Sequence, residues 1–146
     1  MKIETTRFGQ VPVEPEDLLQ FPAGLLGLED CRQWILLADA QNETLGWLQA
    51  ATRPEIALAV VSPRRFVADY QVRVFKSELA PLELSQMKDA QVLTIVAKNE
   101  RSITLNLKAP LVINLPKRLG RQVITNGEMP LQYELGGTRI AYKKSA

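Results

Sequence analysis

Ser102 to Ile124 reads S-I-T-L-N-L-K-A-P-L-V-I-N-L-P-K-R-L-G-R-Q-V-I, and this stretch decides the fold. Ile103, Leu105 and Leu107 alternate with Thr104, Asn106 and Lys108, which places the aliphatics on one face of a strand and the polar groups on the other. Ala109-Pro110 interrupts that strand, because proline has no N–H to give a neighbour and its ring fixes φ. Leu111-Val112-Ile113 and Val123-Ile124 resume it on either side of the basic turn Pro116 to Arg121, where Gly120 can supply a positive φ. The stretch therefore predicts an interrupted strand followed by a hairpin. Asn106 and Asn114 are unusual inside β-rich runs, since asparagine is depleted in strands. A structural polar role follows for both: they bridge backbone groups where the proline breaks the ladder.

The rest of the chain repeats the theme. Ala90 to Lys98 contains Val92-Leu93-Thr94-Ile95-Val96-Ala97, apolar on both alternations, as expected of a central strand buried on both sides, with Ile95 in the core. Trp34 to Ala38, Trp47 to Ala50 and Ile56 to Val61 are apolar runs of strand length separated by polar turns, which predicts an antiparallel meander. Lys2 to Phe8 alternates ahead of a turn at Gly9-Gln10, giving a first hairpin. Leu18 to Phe21 is a short strand, and Gln71 to Phe75 alternates as another. The one plausible helical turn lies between Glu78 and Asp89, broken by Pro81. Leu131 to Tyr142 offers at most an edge strand, and residues 143–146 are a frayed basic tail. Many short strands at close spacing with little helix predict an all-β, antiparallel, barrel-like fold. At 146 residues a single domain is expected over 1–146, with enough chain to bury a core unaided.

Composition narrows the chemistry. The chain has no histidine and one cysteine, Cys31, which argues against histidine-dependent hydrolysis, zinc sites and a disulfide scaffold. Glu29-Asp30 and Glu14 with Glu16-Asp17 lie in loop-like, solvated contexts that do not raise a carboxyl pKa toward catalysis. The chain reads as a non-enzyme with no metal and no cofactor. It begins without a secretory leader and holds no apolar run long enough to span a bilayer, so a cytoplasmic location without membrane contact is expected. A net charge of +2 is far below that of a dedicated nucleic-acid binder. Arg64 and Arg65, with Lys117, Arg118 and Arg121, could still face RNA with Phe66 and Tyr70 as stacking surfaces, and direct RNA binding is the alternative function.

Thr104 to Asn114 followed by Gly120-Arg121-Gln122-Val123-Ile124 resembles the T-x-N-L-x-A-P-[IL]-V-[IV]-N and G-x-Q-V-I pattern of the bacterial flagellar assembly factor FliW family. Phe8-Gly9, Phe21 to Glu29, Trp47-Leu48-Gln49, Ser62-Pro63 and Asp69-Tyr70 are similar to that family's other landmarks in the same order. The resemblance implies a β-barrel-like protein that binds the carbon storage regulator (CsrA), a repressor of flagellin mRNA translation, and also binds flagellin, coupling flagellin synthesis to export. Docking surfaces are expected in the Phe21 to Glu29 loop with Leu25 and Leu26, at Phe66, Asp69 and Tyr70, and at the Pro110 bend. The chain departs from the family at Ser62-Pro63, where members carry Asp-Pro, and in its positive charge.

Overall fold

In the computed structural model, which describes residues 1–135, almost every apolar run becomes a strand. β1 (Lys2–Thr5) and β2 (Gly9–Pro12) form the first hairpin. Its turn is residues 6–8, one step earlier than the glycine suggested. Gly9 takes φ +70° and opens β2. The Thr5 hydroxyl closes the turn from inside, donating to Gly9 O and accepting from Phe8 N, both at 2.8 Å.

β3 (Leu19–Gln20), β4 (Gln33–Ala38), β5 (Leu45–Ala50), β6 (Ala57–Val61) and β7 (Ala90–Lys98) follow as neighbours in an antiparallel meander. The interrupted strand is β8 (Ile103–Leu105) and β9 (Leu111–Asn114), both paired with β7. Its return is β10 (Leu119–Gln122), and β11 (Tyr133–Glu134) adds to the outside of β8. Because β9 pairs with both β7 and β10, and β10 with β3, the sheet closes on itself: β7, β6, β5, β4, β3, β10, β9 and back to β7. The predicted barrel-like, all-β architecture holds. Its strands are antiparallel except that β3 and β10 run parallel, Gln20 beside Leu119. A ring with an odd number of strands cannot alternate direction all the way round, so one neighbouring pair must be parallel.

The pleat then sorts side chains between inside and outside. Leu93 of β7 packs inside with Trp34, Phe21, Leu48, Val60, Leu111 and Ile113. Val92 and Val96 pack on the opposite face, in a second cluster with Tyr70, Leu105 and Leu107. Two-sided packing explains why this strand is apolar at nearly every position. Ile95 is only partly buried, whereas Leu93 and Thr94 are 6% and 0% exposed, so the core of β7 lies earlier than Ile95. The β1–β2 hairpin covers the outer face of β4 through Ile3, Val13 and Ile35. Arg7 stacks 4.2 Å over the Trp47 ring, with Phe8 edge-on at 5.9 Å, and the Trp47 indole N–H donates to Asp39 Oδ1 at 2.9 Å. That bond and two backbone N–H donors hold the Asp39 carboxyl below its usual pKa.

Several local features differ from the expectation. Residues 71–75 form no strand although their exposure alternates. Val72 and Val74 pack beside Val112 and Val123, but the segment's main-chain bond across to residues 121–126 is the single Asn126 N–H to Arg73 O, too few for a ladder. The helix α1 is Lys76–Leu79, earlier than residue 78, and Pro81 falls in a following 3₁₀ turn, Ala80–Leu82. The return arm of the hairpin is residues 119–122 and not 123–124, and its left-handed turn residue is Arg118, φ +56°, and not Gly120. Of the edge strand expected over Leu131 to Tyr142, the described residues hold β11, and residues 136–142 and the basic tail lie outside the described residues.

Candidate functional site

Among the described residues no group of histidine, cysteine, aspartate and glutamate side chains could hold a metal. Cys31 is 1% exposed, and desolvation together with the Asp30 carboxylate pushes its thiol above the usual pKa. A nucleophile needs the reverse. No helix is long and apolar enough to cross a membrane among the described residues. The residues singled out above are carried by the 21–29 loop, the 66–70 connection and the Pro110 bend.

Three of those residues are inside. Tyr70 is 3% exposed, and its hydroxyl donates to Leu107 O at 2.7 Å. Leu25 is 2% exposed and belongs to the main core, and Pro110 is buried at the bend. None offers a partner its side chain, because each fills the barrel wall. Asp69 is exposed, Phe66 is half-buried against Tyr70 and Val61, and Leu26 is 60% exposed. Burial of Tyr70 has a titration consequence: its hydroxyl is pushed up to about 12 by desolvation. Between pH 10 and that value the unfolded chain releases the proton while the folded hydroxyl keeps it. Stability contributed by the neutral hydroxyl is thus complete below pH 10 and falls above it, by roughly 2–3 kcal/mol at the far side. Tyr70→Phe should cost about 1–2 kcal/mol at neutral pH by leaving Leu107 O unpaired. It should also flatten that alkaline slope, as read by urea titration from pH 9 to 12.

The two asparagines do different jobs. Asn106 Oδ1 accepts from Ala109 N–H at 3.0 Å, and its own N–H donates to Ile95 O at 3.1 Å, so it caps the bend while β8 still pairs with β7. Asn114 is 2% exposed and lies away from the bend. Its amide donates to Leu82 O at 2.8 Å and Glu83 O at 3.3 Å, and its Oδ1 accepts from Lys117 N–H at 3.3 Å. It ties the 3₁₀ turn with left-handed Glu83 to the β9–β10 turn. Asn114→Ala is expected to cost about 2–3 kcal/mol and Asn106→Ala about 1, since the first strands several buried groups. Equal shifts in urea midpoint would refute that ordering.

The cations proposed for RNA are largely engaged with the protein itself. Arg64 Nε donates to Tyr70 O at 3.0 Å, and Lys117 Nζ lies 3.3 Å from Glu83. Arg121 donates to Glu78 O at 3.1 Å and faces the Glu78 carboxylate at 3.8 Å.

The 21–29 loop is the most constrained exposed feature. Leu25 N–H and Leu28 O, and Leu28 N–H and Leu25 O, pair at 3.3 and 2.8 Å, closing a two-residue turn with Gly27 at φ +83°. Gly24, φ +67°, has the Glu29 backbone within 2.6 Å of where a side chain would begin, so only glycine fits. Gln122 joins this turn to the bend: its Oε1 accepts from Leu26 N–H at 2.8 Å and its Nε2 donates to Ala109 O at 3.0 Å. Sequence reading assigned Gln122 no role. The available signal was its place as the fixed glutamine of the G-x-Q-V-I pattern.

This bridge joins the two most distinctive sequence blocks, and comparison with known proteins places both in one family, because the FliW protein family model matches residues 2–135. The chain belongs to the FliW family. Curated flagellar assembly factors FliW are similar along most of their length. That of Natranaerobius thermophilus is 34% identical over 127 residues, 85% of this chain and 84% of the relative. That of Bdellovibrio bacteriovorus is 39% identical over 126 residues, 85% and 72% of the two chains. A crystal structure of the flagellar assembly factor FliW superposes with a TM-score of 0.85 at 28% identity, covering 92% of this chain and 96% of the other. The closed barrel is thus the FliW fold.

Proposed function

We propose that this chain is a cytoplasmic, non-enzymatic flagellar assembly factor that acts by binding proteins. In this reading it captures the carbon storage regulator and so relieves repression of flagellin mRNA. Flagellin that has not been exported occupies the factor and restores repression. The observation that carries the reading is the FliW match across residues 2–135. The internal engagement of Arg64, Lys117 and Arg121 counts against direct RNA binding, which needs cations free to meet phosphates.

A mobility-shift assay on flagellin leader RNA at near-physiological salt tests it. The expected result is a shift with the regulator alone, reversal on adding this protein, and return of the shift when flagellin is added in excess. A shift produced by this protein alone would replace the reading with RNA binding.

A further inference from the structure

The inward side chains of the barrel shrink toward one end. On β4 the inner face runs Trp34, Leu36, Ala38, and on β5, read in the same direction, Ala50, Leu48, Gly46. Ala38 and Gly46 stand side by side in register, next to Val60 of β6. Residues this small leave the interior unfilled, and a cavity of about 380 Å³ opens at the barrel mouth with Leu36, Val60 and Leu93 as its apolar floor. The backbone does not require glycine at 46, because its φ is not positive. An added Cβ would rest 3.4 Å from Val60 Cγ2 and 3.5 Å from Leu36 Cδ1, at ordinary contact distances. The absent side chain is what keeps the room open.

Three polar side chains line the same cavity without a partner among the described residues. Gln91 lies on the inner face two positions before Leu93, and its Oε1 is sealed from solvent with no donor. A buried acceptor left unpaired costs stability that an apolar side chain at the same place would not. The terminal amide turns about a torsion with broad minima, so Oε1 can be brought round to face the cavity. Glu43 and Arg65, both exposed and opposite in charge, line the mouth. Neither forms an ion pair with the other or with any other group of the described residues.

We propose that the barrel mouth binds a free α-amino acid with a branched aliphatic side chain. The ammonium group meets Glu43 and Gln91 Oε1, the carboxylate meets Arg65, and the side chain rests on Leu36, Val60 and Leu93. Barrel mouths are common ligand sites, and a cavity near the low end of the usual range of about 300–1,000 Å³ sets a ligand of few atoms. The charges choose among small ligands. A purely apolar molecule leaves Gln91 unpaired, whereas a simple carboxylate satisfies Arg65 and is repelled by Glu43. A zwitterion answers all three polar groups at once. The site does not depend on which proteins the chain binds.

Amide correlation spectra of the full chain titrated with L-leucine test the proposal. Saturable shifts are expected at the Gly46 amide and at the Gln91 side-chain amide, with a Kd on the order of 1 mM or tighter. Leucinamide, which lacks the carboxylate, and isovalerate, which lacks the ammonium, should each bind about 10-fold more weakly or worse. Arg65→Gln and Glu43→Gln should weaken leucine by a similar factor and melt like wild type. Gly46→Val, which places methyl groups in the cavity, should abolish the shifts, and the milder Gly46→Ala should reduce them. Gln91→Met should raise the Tm while weakening leucine, since it removes an unpaired acceptor that the ligand uses. Absence of saturable shifts with leucine, or shifts that survive Gly46→Val and Arg65→Gln unchanged, would overturn the site. Tighter binding of N-acetyl-L-leucine than of leucine would show that the mouth takes the C-terminus of a polypeptide and overturn the free amino acid. A Gln91→Met protein that melts below wild type would show that the amide is already satisfied in the free protein and would remove the ground for a ligand.

Discussion

Aspartate at Leu93 should leave no cooperatively folded protein. Leu93 is 6% exposed, points into the barrel among Leu111, Ile113, Val60 and Trp34, and pairs directly with Leu111 of β9. A carboxylate there stands among apolar side chains, and it must either ionise in that interior or take up a proton, at several kcal/mol either way. That approaches the whole stability of a domain, about 5–15 kcal/mol. β7 is also the strand to which β6, β8 and β9 all attach, so its loss dismantles three pairings together. Ile95→Asp should be milder, because Ile95 keeps part of its surface in water. Amide spectra of the two variants provide the check: a dispersed spectrum from Leu93→Asp would mean that the interior admits water.

The second large effect comes from a single added methyl group. Gly120 sits in β10 opposite Ile113, and a Cβ built on it would overlap Cζ and Cε1 of the Phe21 ring. Phe21 is 0% exposed and cannot swing aside, since it packs within the main cluster. Gly120→Ala is therefore overpacking at a site fixed on both sides, expected to cost about 3 kcal/mol and to lower the Tm by roughly 6–12 °C for a chain of this length. Phe21→Leu in the same chain should return part of the loss, as scanning calorimetry would show. A double variant no better than the sum of its parts would mean that the backbone, and not the ring, is the obstacle.

Gly120 also marks what was readable in the sequence and what was not. Its position beside a basic turn suggested a backbone role, and the alternation around it gave the hairpin correctly. Its actual constraint comes from Phe21, distant in the chain, which no local pattern encodes. The same division recurs elsewhere. Two-sided packing of residues 92–96 followed from apolarity at both alternations, and the bend followed from Ala109-Pro110. Tyr70 looked like a surface aromatic because it falls in a connection outside the regular strands, yet its hydroxyl reaches Leu107 O across a long sequence interval. Leu25 and Leu26 are chemically identical neighbours, and only the turn geometry sends one inward and the other out. Gln122 stood in the G-x-Q-V-I pattern without a role because its two partners, Leu26 and Ala109, are brought together only once the ring closes.

The parallel contact between β3 and β10 bears on how the molecule is made. The residues it joins, Gln20 and Leu119, are about a hundred positions apart, and contacts of that separation are slow to form because a long loop must be closed first. During synthesis the meander β4 to β7 can pair as it emerges, but β3 must wait with one edge bare until β10 has left the ribosome. Until then Leu19 and Phe21, both 0% exposed in the finished barrel, lack their cover. A nascent chain stalled before residue 119 should accordingly be protease-sensitive and prone to associate, and one released after residue 125 should not.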